Sequence, residues 1–179
     1  MKATGIVRRI DDLGRVVIPK EIRRTLKIRE GMPMEIFTDA SGEVILKKYS
    51  PVGEMKQIAQ AYVKSISKLT GCGAAICDTE QIIAVSGGAK KDLLGRGISP
   101  QVDEMIRNKT EFVSVHGDTV ALSKEVPSEA AVLYPISSNG DALGGVVLVK
   151  GEKPQEKMPP EAAEMIKAAA LFFSNQMEE

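Results

Sequence analysis

The chain has no tryptophan, one histidine, two cysteines, four phenylalanines and three tyrosines among 179 residues. These shortages exclude several classes at once. Cys72 and Cys77 are spaced C-x4-C with His116 far away, which falls short of the ligand count of a zinc site. Two cysteines also make no disulfide framework, so they are read as small hydrophobes at the start of a strand. No apolar run approaches the roughly 18 residues of a membrane span. Met1-Lys2 leads into polar sequence instead of a signal peptide, so a cytoplasmic protein without membrane contact is expected. Net charge is also missing, with 24 basic against 24 acidic residues.

That zero hides an asymmetry. Residues 1–50 carry 11 Lys and Arg against 7 Asp and Glu, which leaves 13 against 17 for residues 51–179. A basic first segment ahead of an acidic remainder suggests that the first segment meets a polyanion. Its elements are short. Thr4 to Ile10 alternates as a strand does, and Asp11-Asp12-Leu13-Gly14 is turn chemistry. Arg15 to Ile18 reads as a second strand, stopped by Pro19, and Lys20 to Leu26 as a two-turn helix. Met34–Phe37 and Glu43–Leu46 make a hairpin around Asp39-Ala40-Ser41-Gly42. Fifty residues with one small helix cannot bury much core alone, so a dimer is expected on physical grounds.

Ser50-Pro51 marks a boundary, a cap residue followed by proline at the first helical position. Met55, Ile58, Ala59, Tyr62, Ile66 and Leu69 then recur at helical spacing as one apolar stripe. Strands are expected at Ala74–Cys77, Ile82–Val85, Phe112–Val115, Val120–Ser123, Val132–Ile136 and Leu143–Val149, the last two joined at Asn139-Gly140. Lys90 to Leu94 suits a helical turn and Ser99-Pro100 starts another helix. Pro159-Pro160 opens a final helix with Ala162, Met165, Ile166, Ala169, Phe172, Phe173 and Met177. Residues 51–179 thus read as an α+β sheet with flanking helices on one face. The last helix is apolar over a wider arc than one sheet face needs, which points to a second subunit's helix.

The stretch "TGIVRRIDDLGRVVIPKEIRRTLKI", followed by "MEIF" and "EVILKKY", resembles the AbrB-type swapped-hairpin family of bacterial transition-state regulators. With a helix-flanked α+β domain after "KKYSP", the whole chain is similar to the sporulation transcription factors that join such a domain to a GAF fold. The resemblance implies an N-terminal barrel, dominated by β structure, that two chains build by interleaving their hairpins, and a GAF-like regulatory or oligomerisation domain. It implies that double-stranded DNA is gripped by Arg8, Arg15, Arg23 and Arg24. Interleaving two chains doubles that set. Guanidinium forks bind phosphate bidentately and also reach guanine edges, so these residue types suit the task. Arg9 and Lys20 are second-rank candidates, since strand alternation turns Arg9 away from Arg8. A helix-turn-helix is disfavoured because turn and strand follow the only early helix. Activation and repression are both open for such a regulator. A homotetramer is expected, with barrel dimers tied through the helices at 54–70 and 160–177.

Residues 51–179 give little support to enzyme chemistry. His116 beside Gly117-Asp118 reads as an exposed loop histidine, and no nucleophile is paired with it. Ser86-Gly87-Gly88-Ala89-Lys90-Lys91 could cradle a phosphate but lacks the Walker spacing, so an ordinary turn is preferred. Asp78, Glu80, Asp103 and Glu104 look like a solvated rim, not a metal site. No cofactor is expected, because the stretch from Ser86 to Glu125 has no cysteine, no metal-binding cluster and one aromatic, Phe112. A small non-covalent effector or a purely architectural role both remain open for this half. The rival reading is an antitoxin whose barrel binds its own operator and whose tail binds a protein partner. Such tails are short and disordered when free, whereas the 129 residues from Pro51 onward carry a full apolar pattern.

Overall fold

The computed structural model describes residues 4–87, 91–150 and 158–178. Two compact units result, Met1–Tyr49 and Ser50–Glu179. In the first, Pro19 precedes helix α1, Lys20–Thr25. Strands β1, Met34–Thr38, and β2, Val44–Lys48, pair antiparallel from Met34 against Lys48 to Thr38 against Val44. Their loop is sealed by the Asp39 carboxylate, which accepts from the Ser41 and Glu43 amides at 3.0 and 2.9 Å and from the Ser41 hydroxyl at 2.8 Å.

Two expectations fail in this unit. Thr4–Ile10 and Arg15–Ile18 form no strands within the chain. A ladder needs a partner strand, and a single chain supplies none here. The cost is visible on the surface: among the described residues of this unit only Pro19 is buried. Val7, Ile10, Val17, Ile36 and Val44 stand between 66% and 84% exposed.

The second unit has its own core. Ser50 caps the short helix α2, Pro51–Glu54, its hydroxyl accepting from the Gly53 amide at 3.0 Å. Helix α3 is Lys56–Thr70, with Met55, the first residue of the expected stripe, at its N-terminal cap. Gly71 closes α3 at φ 71°, the left-handed C-terminal stop that favours glycine. Strands β3, Gly73–Asp78, and β4, Ile82–Ser86, follow, then a 3-10 turn at Lys91–Leu93. Helix α4, Pro100–Arg107, starts on Ser99, whose hydroxyl accepts from the Val102 amide at 3.1 Å. Short strands β5, Phe112–Val113, and β6, Val120–Ala121, lead to the long hairpin of β7, Glu129–Ser138, and β8, Asp141–Val149. Asn139 and Gly140 turn that hairpin at φ 51° and 87°, both positive as its tight turn demands. Helix α5 is Ala162–Gln176.

The sheet runs β4-β3-β8-β7-β5, with β6 also on β7. Strand alternation sorts its side chains into two layers. Ile76, Val132, Tyr134, Val146 and Leu148 face one way, onto Val63 and Ile66 of α3 and Ile166 and Phe173 of α5. Cys77, Leu133 and Val147 face the other way, onto Leu93, Val102, Ile106 and Leu122. Helices therefore cover both faces, contrary to the one-faced arrangement expected. Val102 and Ile106 supply the reason: at i and i+4 they give α4 an apolar stripe of its own.

Candidate nucleic-acid interface

Arg8, Arg15, Arg23 and Arg24 are all exposed, as are Arg9 and Lys20. Each has a distinct setting. Arg8 donates from Nη1 to the carbonyl of Val7 at 3.2 Å, a contact with its own neighbour. Arg23 and Arg24 share α1, in its last turn, where a cation suits the carbonyl end of the helix; Glu21 sits in the first turn. The helix stops without glycine. The Ile28 amide donates to the Arg23 carbonyl at 2.7 Å while Lys27 adopts φ 54°.

Arg15 is held more firmly than the others. The Asp11 amide donates to the Arg15 carbonyl at 3.0 Å, and the Gly14 amide to the Asp11 carbonyl at 3.0 Å. Asp11 Oδ1 accepts from the amides of Leu13 at 3.1 Å and Arg15 at 2.8 Å. Asp11 Oδ2 accepts from Arg15 Nε at 2.8 Å. These hydrogen bonds, those from Arg15 foremost, hold the Asp11 carboxyl below its ordinary value of 3.8. Sequence reasoning took Asp11 for turn chemistry alone and missed its grip on Arg15; an acid followed by glycine three places on and arginine four places on was the available signal. It also missed Lys47, whose Nζ lies 4.5 Å from the centre of the Phe37 ring. Lys47 stands diagonal to Phe37 across the hairpin, a cation–π pair that fixes an exposed ammonium.

The second unit holds several groups of chemical interest. Cys72 and Cys77 are buried free thiols, and burial, aided by the neighbouring Asp78, pushes the Cys77 thiol up to about 12. A thiol held protonated in this way makes Cys77 a poor nucleophile. Asp78 corrects the expectation of a solvated rim, being only 4% exposed. It accepts from the Ser50 hydroxyl at 2.8 Å and from the Glu80 and Gln81 amides at 2.7 Å each. Asp103 pairs with Arg107 at 3.0 Å. His116 is exposed in a turn closed by Asp118, which accepts from the Val115 and His116 amides. Gly87 takes φ 71° hard against the Cys72 carbonyl and Ser67, whereas Gly88, Ala89 and Lys90 of the same glycine-rich stretch lie outside the described residues. Among the described residues no three His, Cys, Asp or Glu side chains converge as metal ligands do.

Leu93, Val102, Ile106 and Leu122 pack against the sheet beneath its crossing segments. A cavity of about 420 Å³ lies at the β4 edge, among Gly53, Lys56, Gln81, Ile82, Ile83, Leu94 and Gly95. Ile166 and Phe173 are 0% exposed, so neither is free to meet a second subunit. The large apolar side chains that do face solvent on these helices are Ile58 and Leu69 of α3 and Leu171 of α5. No helix among the described residues is long and apolar enough to cross a membrane.

Comparison with known proteins adds sequence relationships to this geometry. The family described as Stage V sporulation protein T C-terminal, transcription factor, matches residues 54–178. Residues 7–54 match the family described as antidote-toxin recognition MazE, bacterial antitoxin. Stage V sporulation protein T of Bacillus subtilis (strain 168) is 45% identical over 181 aligned positions, covering 100% of both chains. Transition state regulatory protein AbrB of the same organism is 61% identical over 51 residues, 28% of this chain and 52% of that one. The solved N-domain of abrB, 96% covered by 28% of this chain, superposes at a TM-score of 0.27 with 61% identity. A solved GAF domain of Thermosynechococcus elongatus PixJ aligns with 73% of this chain and 90% of its own, at a TM-score of 0.47 and 12% identity.

Proposed function

The chain belongs to the Stage V sporulation protein T family of transcription factors and is a DNA-binding sporulation regulator; from that premise we propose that residues 1–50 grip double-stranded DNA through Arg8, Arg15, Arg23 and Arg24 as a two-chain swapped-hairpin barrel. The observation that carries this is the combination of four exposed arginines with uncovered apolar side chains in one unit. Val7, Ile10, Val17 and Ile36 need cover that one chain does not supply, and a second copy provides it while doubling the cations. Phosphate contacts supply affinity on many sequences, and DNA shape and base edges supply preference, so activation at one promoter and repression at another need no change of face.

Residues 51–179 act as a GAF-like regulatory and oligomerisation unit, a reading supported by its helix, sheet, helix order. Pairing of copies through α3 and α5 ties two barrel dimers into a tetramer, with Ile58, Leu69 and Leu171 as contact residues. The cavity beside Lys56 is the seat offered to a small non-covalent effector. The protein works in the cytoplasm, without a cofactor or a catalytic step. The antitoxin alternative, favoured by the match of residues 7–54, needs a tail that is disordered when free, whereas the second unit packs two cores of its own.

The direct test is titration of the full chain onto duplex DNA at several salt concentrations. Arg15→Ala and Arg23→Ala are each expected to weaken binding across sequences. Each flattens the log-log salt dependence by roughly one unit per phosphate contact removed. Two variants that both bind as the wild type does at a stated salt would remove the assigned face.

A further inference from the structure

We propose that Asp11, an anion on a face that meets a polyanion, is a positioning residue for DNA binding: it holds the Arg15 guanidinium side-on so that its two Nη groups point outward as a ready fork. The inference rests on the DNA-binding role of Arg15 proposed above and goes beyond it. By charge alone Asp11 should repel phosphate, and its removal should tighten binding. The geometry argues the opposite sign.

The two carboxylate oxygens have separate duties. Oδ1 accepts the Leu13 and Arg15 amides and thereby closes the turn. Oδ2 accepts Arg15 Nε alone, at 2.8 Å. The Nε edge is the side of the guanidinium, so this bond leaves the end-on edge open. Nη1 and Nη2 of Arg15 have no partner among the described residues, and the side chain is 69% exposed. An end-on pair of N–H groups is the fork that binds phosphate or guanine bidentately. Without Asp11 the long side chain must be ordered by the DNA itself. That ordering costs a factor of roughly two to ten in affinity per immobilised side chain. None of the other three arginines has a carboxylate partner among the hydrogen bonds and ion pairs of the described residues, so the device is particular to Arg15.

The division of duties makes Asp11→Asn a clean probe. Asparagine keeps an acceptor for the two amides, and its NH2 group then faces Arg15 Nε donor to donor. The turn stays and the grip goes. The experiment measures anisotropy of a labelled duplex with the full-length wild type, Asp11→Asn, Arg15→Ala and the double variant, at one salt concentration. Asp11→Asn is expected to weaken binding roughly two- to tenfold per Arg15 engaged, although it removes a negative charge. In the Arg15→Ala background the same substitution is expected to do nothing or to tighten binding, since only repulsion is left to relieve. Binding by Asp11→Asn as tight as that of the wild type, or tighter, overturns the proposal. An equal loss in both backgrounds also overturns it, because Asp11 would then act on the turn and not through Arg15. Arg15→Ala read alone tests the DNA face separately: if it binds like the wild type, that reading falls and this inference with it. Should Asp11→Asn fail to fold, Arg15→Lys replaces it, keeping the charge but offering no side-on edge. A loss comparable to that of Arg15→Ala supports the proposal, and wild-type binding overturns it.

Discussion

Single residues in this protein carry their weight through carboxylates that close turns. Asp11, Asp39 and Asp118 are each held below the ordinary aspartate value of 3.8. The leading causes differ: the Arg15 amide for Asp11, the Ser41 hydroxyl for Asp39 and the Val115 amide for Asp118. A depressed carboxyl stabilises the folded state above its unfolded value, and the contribution is lost as pH falls through the folded value. These turns should therefore keep their stabilisation down to about pH 4 and lose it below. Side-chain carboxyl carbon shifts followed by NMR through an acid titration are expected to place all three midpoints under 3.8. Gly144 offers a second residue-scale outcome. A Cβ there would collide with the Cys77 carbonyl on the neighbouring strand. Gly144→Ala should destabilise the second unit by about 1–3 kcal/mol in a urea melt, the usual cost of forcing atoms into a packed site. The sequence announced the turns but not which carboxylate closes them, and it left Asp78 on the surface. Burial of Asp78 depends on a serine 28 positions away, a distance no local pattern spans.

Whole elements were legible where the signal was local. Asn139-Gly140 announced the β7–β8 hairpin, and the serine-proline pairs at 50–51 and 99–100 announced two helix starts. The inner face of α3 was not legible in full. Ile58 and Leu69 fit the helical period but face solvent, while Val63, outside the expected stripe, is buried. Periodicity gives a stripe, and only the partner sheet decides where that stripe is centred. Thr4–Ile10 and Arg15–Ile18 mark the other limit, since β-branched alternation describes a strand's side chains and says nothing of which chain holds its ladder. Phe173 and Leu171 separate the two roles of α5. Phe173→Ala should cost the second unit about 3–5 kcal/mol by cavity formation, read as a lowered denaturation midpoint. Leu171→Glu should leave that midpoint nearly unchanged, because the side chain is already 56% exposed.

At the scale of the whole molecule the same Leu171→Glu variant, or Leu69→Glu, is expected to reduce a tetramer to dimers in light scattering. Buried charge without a partner is costly at an interface. A full-length wild type that stays dimeric at high concentration would remove the helix-pairing arrangement and leave the barrel untouched. The open apolar side of the first unit carries the remaining consequence. If its cover comes from a second copy, that unit has no fixed stability of its own, and its melting temperature must climb with the amount of protein dissolved. Tethering through the second unit raises the local supply of partners to the order of millimolar. A shortened chain ending at residue 50 loses that supply and falls apart on dilution, so its occupancy of DNA should switch on with copy number more steeply than that of the intact chain. The arginine grip is then a headcount before it is a recognition: too few molecules, and there is no surface for any operator to meet.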